Sequence, residues 1–293
     1  MMKKRLTWLM AAVLLLLLTA CGDPQAQNGK MTVVATLDFY GEVAKAVGGD
    51  HVRVVSVIDD PAIDPHDYEP TTAVAKEVAG AKLILANGLG YDSWMDRVVA
   101  GGDKTADYLK VGEQLLKKKD GANEHLWYDP TTMPKLANAL AARFAKLDPT
   151  HANDYAANAK AYLKKLAPLT ALVARLKTQL SGQAAAQSEP VLGYSLDALG
   201  IREVAGHFAK AIEDGTDPSP QDVEGLQRAF TQHRVAFFVI NTQADSRVVD
   251  EATASAKKAG VPVLKVTETL PAGKTYISWM MSQYDALADL KLL

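Results

Sequence analysis

DPTHANDYAANAKAYLKKLAPLTALVARLKTQL, residues 148–180, is the stretch around which the rest of the chain is organised. Tyr155, Ala159, Tyr162, Leu166, Leu169, Val173, Leu176 and Leu180 recur at alternating four- and three-residue steps, the spacing that gathers side chains on one face of an α-helix. Asp148-Pro149 supplies a start signal, and a helix from Pro149 to Leu180 is about 48 Å long, enough to reach from one domain to another. Pro168 removes a backbone hydrogen bond and crowds the carbonyl of Lys164, so a bend is expected there. The stripe lasts only about four heptads and has α/β material on both sides, which favours an internal linking helix over a coiled-coil dimer, and a monomer is expected.

Working outward, short apolar runs alternate with helical patterns on both flanks. Before the helix, Thr32 to Thr36, Val52 to Ile58 and Leu83 to Ala86 read as strands, each followed by a loop and a helix. The helix opened by Asp129-Pro130 carries Met133, Leu136, Leu140, Phe144 and Leu147 on one face and closes this half. After Gly182 the alternation resumes with strands at Ile201 to Val204, Val235 to Ile240 and Val261 to Val266. Helices are expected at Pro220 to Gln232, Arg247 to Ala259 and about Tyr276 to Leu290. Such βα alternation implies parallel sheets, and so an α/β chain of two lobes, 31–148 and 182–293, joined by one helix over 149–181.

The amino terminus reads as an address. Lys3, Lys4 and Arg5 precede an apolar run, Leu6 to Leu18, too short to cross a bilayer comfortably, so residues 1–20 are expected to be a signal peptide. The run ends in Leu18-Thr19-Ala20-Cys21, which resembles a bacterial lipobox, and makes Cys21, the only cysteine, the expected lipidated terminus. Residues 21–30 would be its tether, and the protein an extracytoplasmic, membrane-anchored lipoprotein. Losing three of the 32 basic residues with the leader leaves 29 against 34 acidic ones, a formal charge of −5 that disfavours nucleic acid as a partner.

In open parallel sheets, ligands bind beyond the carboxyl ends of the strands, so the polar residues of the strand-to-helix loops are the first candidates. His66 lies in Asp64-Pro65-His66-Asp67-Tyr68-Glu69-Pro70, and His125 in Asn123-Glu124-His125-Leu126-Trp127-Tyr128-Asp129-Pro130. In the second half, Glu189 precedes Pro190-Val191-Leu192-Gly193-Tyr194, and Glu268 follows Val266-Thr267. Two neutral imidazoles and two carboxylates around a divalent ion sum to zero charge, which allows the ion to be desolvated in a cleft. Four protein donors also fill a tetrahedral shell and leave no position for an activated water, which favours carrying a metal over catalysing with it.

In these motifs, with Asn87-Gly88-Leu89-Gly90-Tyr91 and Gly273-Lys274-Thr275-Tyr276, the chain resembles the zinc- and manganese-specific solute-binding lipoproteins of ABC importers, over Val33 to Leu290. The resemblance implies two α/β lobes joined by a long rigid helix, with the metal between them and His66, His125, Glu189 and Glu268 at the ligand positions. It also implies a partner permease with a cytoplasmic ATPase, and no enzyme activity. Three departures are visible: the third ligand is often histidine in zinc-binding members where this chain has Glu189, the fourth is commonly aspartate, one methylene shorter than Glu268, and residues 103–123 contain no histidine where many zinc-binding members carry a histidine-rich loop. The rival readings are a binding protein for another solute or a metal chelate, a metal-dependent hydrolase, and a surface adhesin on the same scaffold.

Overall fold

The computed structural model describes residues 29–290 except 67, 103, 104 and 245. The expected signal peptide and Cys21 lie outside the described residues. In the first lobe, β1 (Met31–Leu37), α1 (Asp38–Gly48), β2 (Val52–Ile58), α2 (Thr72–Ala79), β3 (Leu83–Ala86), α3 (Trp94–Ala100), β4 (Asp107–Lys110) and α4 (Thr132–Leu147) follow in order. Helix α5 (Ala152–Leu180) comes next. The second lobe holds β5 (Ala184–Gln187), α6 (Gly193–Leu199), β6 (Arg202–Glu203), α7 (Gly206–Glu213), α8 (Pro220–Thr231), β7 (Phe237–Asn241), α9 (Arg247–Lys258), β8 (Val263–Val266) and α10 (Tyr276–Ala288).

Both sheets are wholly parallel and share one topology, β2-β1-β3-β4 in the first lobe and β6-β5-β7-β8 in the second. Strand order therefore reverses between β1 and β3 and between β5 and β7, and each reversal opens a crevice at the carboxyl ends of the strands. The α/β reading of the sequence is the fold observed. The sequence reading did not include β4, since Asp-Tyr-Leu-Lys is short and half polar; its backbone is claimed by pairing with the buried β3.

Every residue of the apolar stripe on α5 is buried, together with Leu172. At about 1.5–3 kcal/mol for each large aliphatic side chain, that face outweighs the helix-breaking tendency of Pro168. Pro168 and Lys164 both face solvent and the helix continues through them, because water can satisfy the carbonyl that Pro168 leaves without a donor. One continuous core runs from β1 and α1 across α5 to α6 and α10, while a second cluster packs β5 and β7 against α7, α8 and α9. Between the lobes, Phe39 packs at a tilt against both Trp127 and Trp279, with ring centroids 5.0 and 5.9 Å away. Tyr276 donates to the carbonyl of Trp127 at 2.7 Å and Tyr128 to that of Thr267 at 2.6 Å. No helix among the described residues is long and apolar enough to cross a membrane.

Candidate metal centre

The loops at the carboxyl ends of the two sheets meet in the cleft above this aromatic floor. His125 is the most firmly held of them. The Asn123 side-chain oxygen accepts from the His125 backbone N–H at 2.9 Å and from ring Nδ1 at 2.8 Å. A carboxamide oxygen only accepts, so Nδ1 carries a proton and Nε2 is the ring nitrogen turned towards the cleft. The ring is fully buried, and Nε2 has no hydrogen-bond partner among the described residues. Such an atom is costly unless a further group occupies the space in front of it. Asn123 also donates to the carbonyl of Pro190, at 2.6 Å, and so ties the His125 loop to the second lobe.

His66 sits on the loop after β2, with its backbone N–H bound by Asp64 at 2.8 Å and its ring edge-on to Tyr91 at 4.7 Å. Its side chain is 38 % exposed, which makes it the solvent-facing member of the pair. Tyr91 is delivered by the turn after β3, where Gly88, Leu89 and Gly90 have φ of 82°, 57° and 90°. A β-carbon on Gly88 would fall 1.9 Å from the Glu113 carboxylate, so this turn requires glycine. Asp92 closes it by accepting from the Asn87 and Gly88 N–H groups at 2.7 and 2.9 Å.

The second lobe brings carboxylates. Glu268 accepts from Tyr91 at 2.8 Å through Oε1 and from Asn241 at 3.1 Å through Oε2, and its Oε1 lies 3.8 Å from His125 Nε2. Burial works against its charge, but His125, Tyr91 and His66 outweigh burial and hold its carboxyl well below the usual range. Asn241 gives its other amide hydrogen to Glu189, at 2.8 Å, so one side chain fixes both of the expected carboxylates. Glu189 accepts from Asn241, and burial pushes its pKa up.

The carboxylate standing between the two imidazoles is Glu213, at the end of α7. Its Oε1 is 3.7 Å from His66 Nε2 and 3.9 Å from His125 Nε2, with the side chain only 6 % exposed. Glu124 joins this group, with donor atoms of His66, Glu124 and Glu213 within 4.8 Å of one another. Burial first, then Glu124, raises the Glu213 pKa to about 8 against the pull of His125. The sequence reading did not single out Glu213. Its one sequence-level signal is a carboxylate in the last turn of a helix, where the helix dipole disfavours negative charge. The spacing is informative, because four donors at about 2.1 Å from a tetrahedral ion are separated by about 3.4 Å. Three pairs, Glu213 Oε1 with each imidazole Nε2 and Glu268 Oε1 with that of His125, stand a few tenths of an ångström wider, while the donors that all lie within 4.8 Å of one another are those of His66, Glu124 and Glu213. A cavity of about 230 Å³, lined by residues 61–65 with Gln243, Glu268 and Thr269, opens beside Glu268.

Two α/β lobes on a single connecting helix, with donors from both lobes facing one buried point, define a cleft-binding protein built to hold a small ligand. The chain belongs to the family described as zinc-uptake complex component A, periplasmic, whose profile matches residues 33–290. Proteins of this family are substrate-binding components of metal ABC transporters and not enzymes. The chain is 26 % identical over 309 residues to the manganese ABC transporter substrate-binding lipoprotein PsaA of Streptococcus anginosus, covering 98 % of this chain and 99 % of that protein. It is 25 % identical over 316 residues to the iron ABC transporter substrate-binding lipoprotein MtsA of Streptococcus pyogenes, covering 98 % and 99 %. Among solved structures it resembles the periplasmic zinc-binding protein TroA of Treponema pallidum, with a TM-score of 0.73 at 21 % identity, covering 88 % of this chain and 98 % of that one.

Proposed function

We propose that this protein, held outside the cytoplasmic membrane by lipid on Cys21, captures one divalent transition-metal ion, zinc or manganese, and delivers it to an ABC permease driven by a cytoplasmic ATPase. In this reading His66 and His125 of the first lobe and Glu189 and Glu268 of the second bond the ion. The observation that carries the reading is the buried Nε2 of His125, which has no hydrogen-bond partner among the described residues yet faces carboxylate oxygens of the opposite lobe at 3.8 and 3.9 Å. Asn123 holds Nδ1–H and so aims Nε2 into the cleft, the orientation a metal requires of a histidine ligand.

The relatives support a transition metal as cargo and differ over which, since their names give manganese, iron and zinc. Carboxylate oxygens suit manganese, while zinc binds a mixed imidazole and carboxylate set more tightly by the Irving–Williams trend. Elemental analysis of protein purified without added metal, followed by calorimetric titration of the stripped form, tests the reading. One equivalent of zinc or manganese is expected in the wild type and none in His66→Ala or Glu268→Ala. A stripped wild type that gives no heat with either ion contradicts it.

A further inference from the structure

We infer that Tyr194, the second residue of helix α6, is a positioning residue that couples the seat of the second lobe to the aim of the His125 ring through Asn123. The inference rests on the metal-capture reading and adds to it a residue that touches no ion.

Three contacts join residues 118–123 of the first lobe to the turn over 190–194 in the second. The Tyr194 hydroxyl donates to the carbonyl of Asn123 at 2.6 Å, and the Asn123 side-chain nitrogen donates to the carbonyl of Pro190 at 2.6 Å. The Lys118 ammonium lies 4.3 Å from the centroid of the Tyr194 ring. One short turn thus holds Asn123 by its backbone and by its side chain. The close approach is built in at Gly193, where a β-carbon would fall 2.9 Å from the Asn123 side-chain nitrogen. Helix α6 is firmly seated in turn, since Leu196 and Leu199 are buried and the Ser195 hydroxyl donates to the carbonyl of Tyr128 at 2.7 Å.

The other end of the Asn123 carboxamide decides what this grip does. Its oxygen accepts from the backbone N–H and from Nδ1 of His125, at 2.9 and 2.8 Å, while its nitrogen is bound to Pro190. The group is planar, so a shift of the 190–194 turn that rotates the nitrogen also swings the oxygen, and the imidazole follows. Glu189 immediately precedes this turn, and the ring of Pro190 restricts the backbone between them. A carboxylate of the second lobe and the clamp on an imidazole of the first therefore ride on one stiff turn, and movement of Glu189 is transmitted to His125. A tyrosine that only filled space between the lobes would need its ring and not its hydroxyl.

Tyr194→Phe keeps the ring under Lys118 and removes only the donor, while Gly193→Ala pushes on the Asn123 side chain with Tyr194 intact. Zinc affinity of the metal-stripped proteins is measured by competition with a chromophoric chelator, with Tyr194→Phe made both in the wild type and in Asn123→Ala. Tyr194→Phe and Gly193→Ala are each expected to weaken zinc about 10-fold. In the Asn123→Ala background Tyr194→Phe should cost less than about twofold, because the route to His125 is already cut. A second readout needs no metal: the Nδ1 proton of His125, followed by nuclear magnetic resonance in stripped protein, should shift and exchange faster with water in Tyr194→Phe. Should Tyr194→Phe not fold, Gly193→Ala decides through the same affinity and proton signal. Wild-type affinity in Tyr194→Phe, an equal loss in both backgrounds, or an unmoved proton signal overturns the inference while metal capture stands. A stripped wild type that binds neither zinc nor manganese overturns metal capture, and the proton signal then still shows whether Tyr194 aims the ring.

Discussion

The cleft is joined in two unlike ways at its floor and at its mouth. The floor is apolar and fully buried, where Phe39, Trp127, Tyr128, Tyr276 and Trp279 interlock across the lobes, the Tyr128 and Tyr276 hydroxyls donate to backbone carbonyls and Trp279 donates to the Thr267 hydroxyl. The mouth is a set of side-chain hydrogen bonds around an open cavity. Gln243 donates to the carbonyl of Pro61 at 2.8 Å, Thr269 donates to the same atom at 3.0 Å, and the Gln243 oxygen accepts from the backbone N–H groups of Glu268 and Thr269 at 2.6 and 2.9 Å. A dry aromatic seam resists shear, while polar contacts beside water exchange at little cost. The difference assigns rigidity to the floor and looser contacts to the mouth, with Gln243 linking the Glu268 backbone to the loop that carries His66.

The largest effect expected from this contrast is at the floor. Trp279→Ala should cost about 3–5 kcal/mol of stability in urea unfolding, in one transition involving both lobes; two separated transitions would show that the floor does not weld them. Next comes a pH dependence at the metal site. Because the Glu213 pKa is raised from its ordinary 4.5 to about 8, the folded metal-free protein holds a proton that the unfolded chain has already lost. Its contribution is full below pH 4.5 and declines as pH rises towards 8, so metal-free protein should become less stable across that window. Glu213→Gln should flatten the dependence in thermal scans, and an unchanged slope would assign it elsewhere.

Releasing the His125 ring is a smaller step. Asn123→Ala should weaken zinc by about 10–100-fold in chelator competition, since the orientation of the imidazole is no longer fixed. At the mouth, Gln243→Ala should change stability by no more than about 1 kcal/mol yet speed metal release about 10-fold in stopped-flow transfer to a chelator. A release rate equal to wild type would break the distinction between floor and mouth.

Much of this was legible because it follows from periodicity. The stripe on α5 and the βα alternation depend on local spacing, and the structure buries each stripe residue from Tyr155 to Leu180. His66 and His125 stood out through motifs dense in proline and aromatic residues. What escaped was set by distant contacts. β4 exists because β3 offers it a ladder, and Glu213 enters the cleft because Phe208 and Ala209 dock α7 on a sheet whose strands lie elsewhere in the chain. Nothing in Ala211-Ile212-Glu213-Asp214 alone marks which of two adjacent acids turns inward. Asn241 escaped for the same reason, since its role is to join two carboxylates contributed by different strand ends.

Anomalous diffraction from zinc- or manganese-loaded crystals, recorded on both sides of the metal absorption edge, bears most directly on the whole account. One peak is expected in the cleft, bonded to both His66 and His125 and to at least one carboxylate of the second lobe. A peak outside the cleft, or one held by a single lobe, would contradict it.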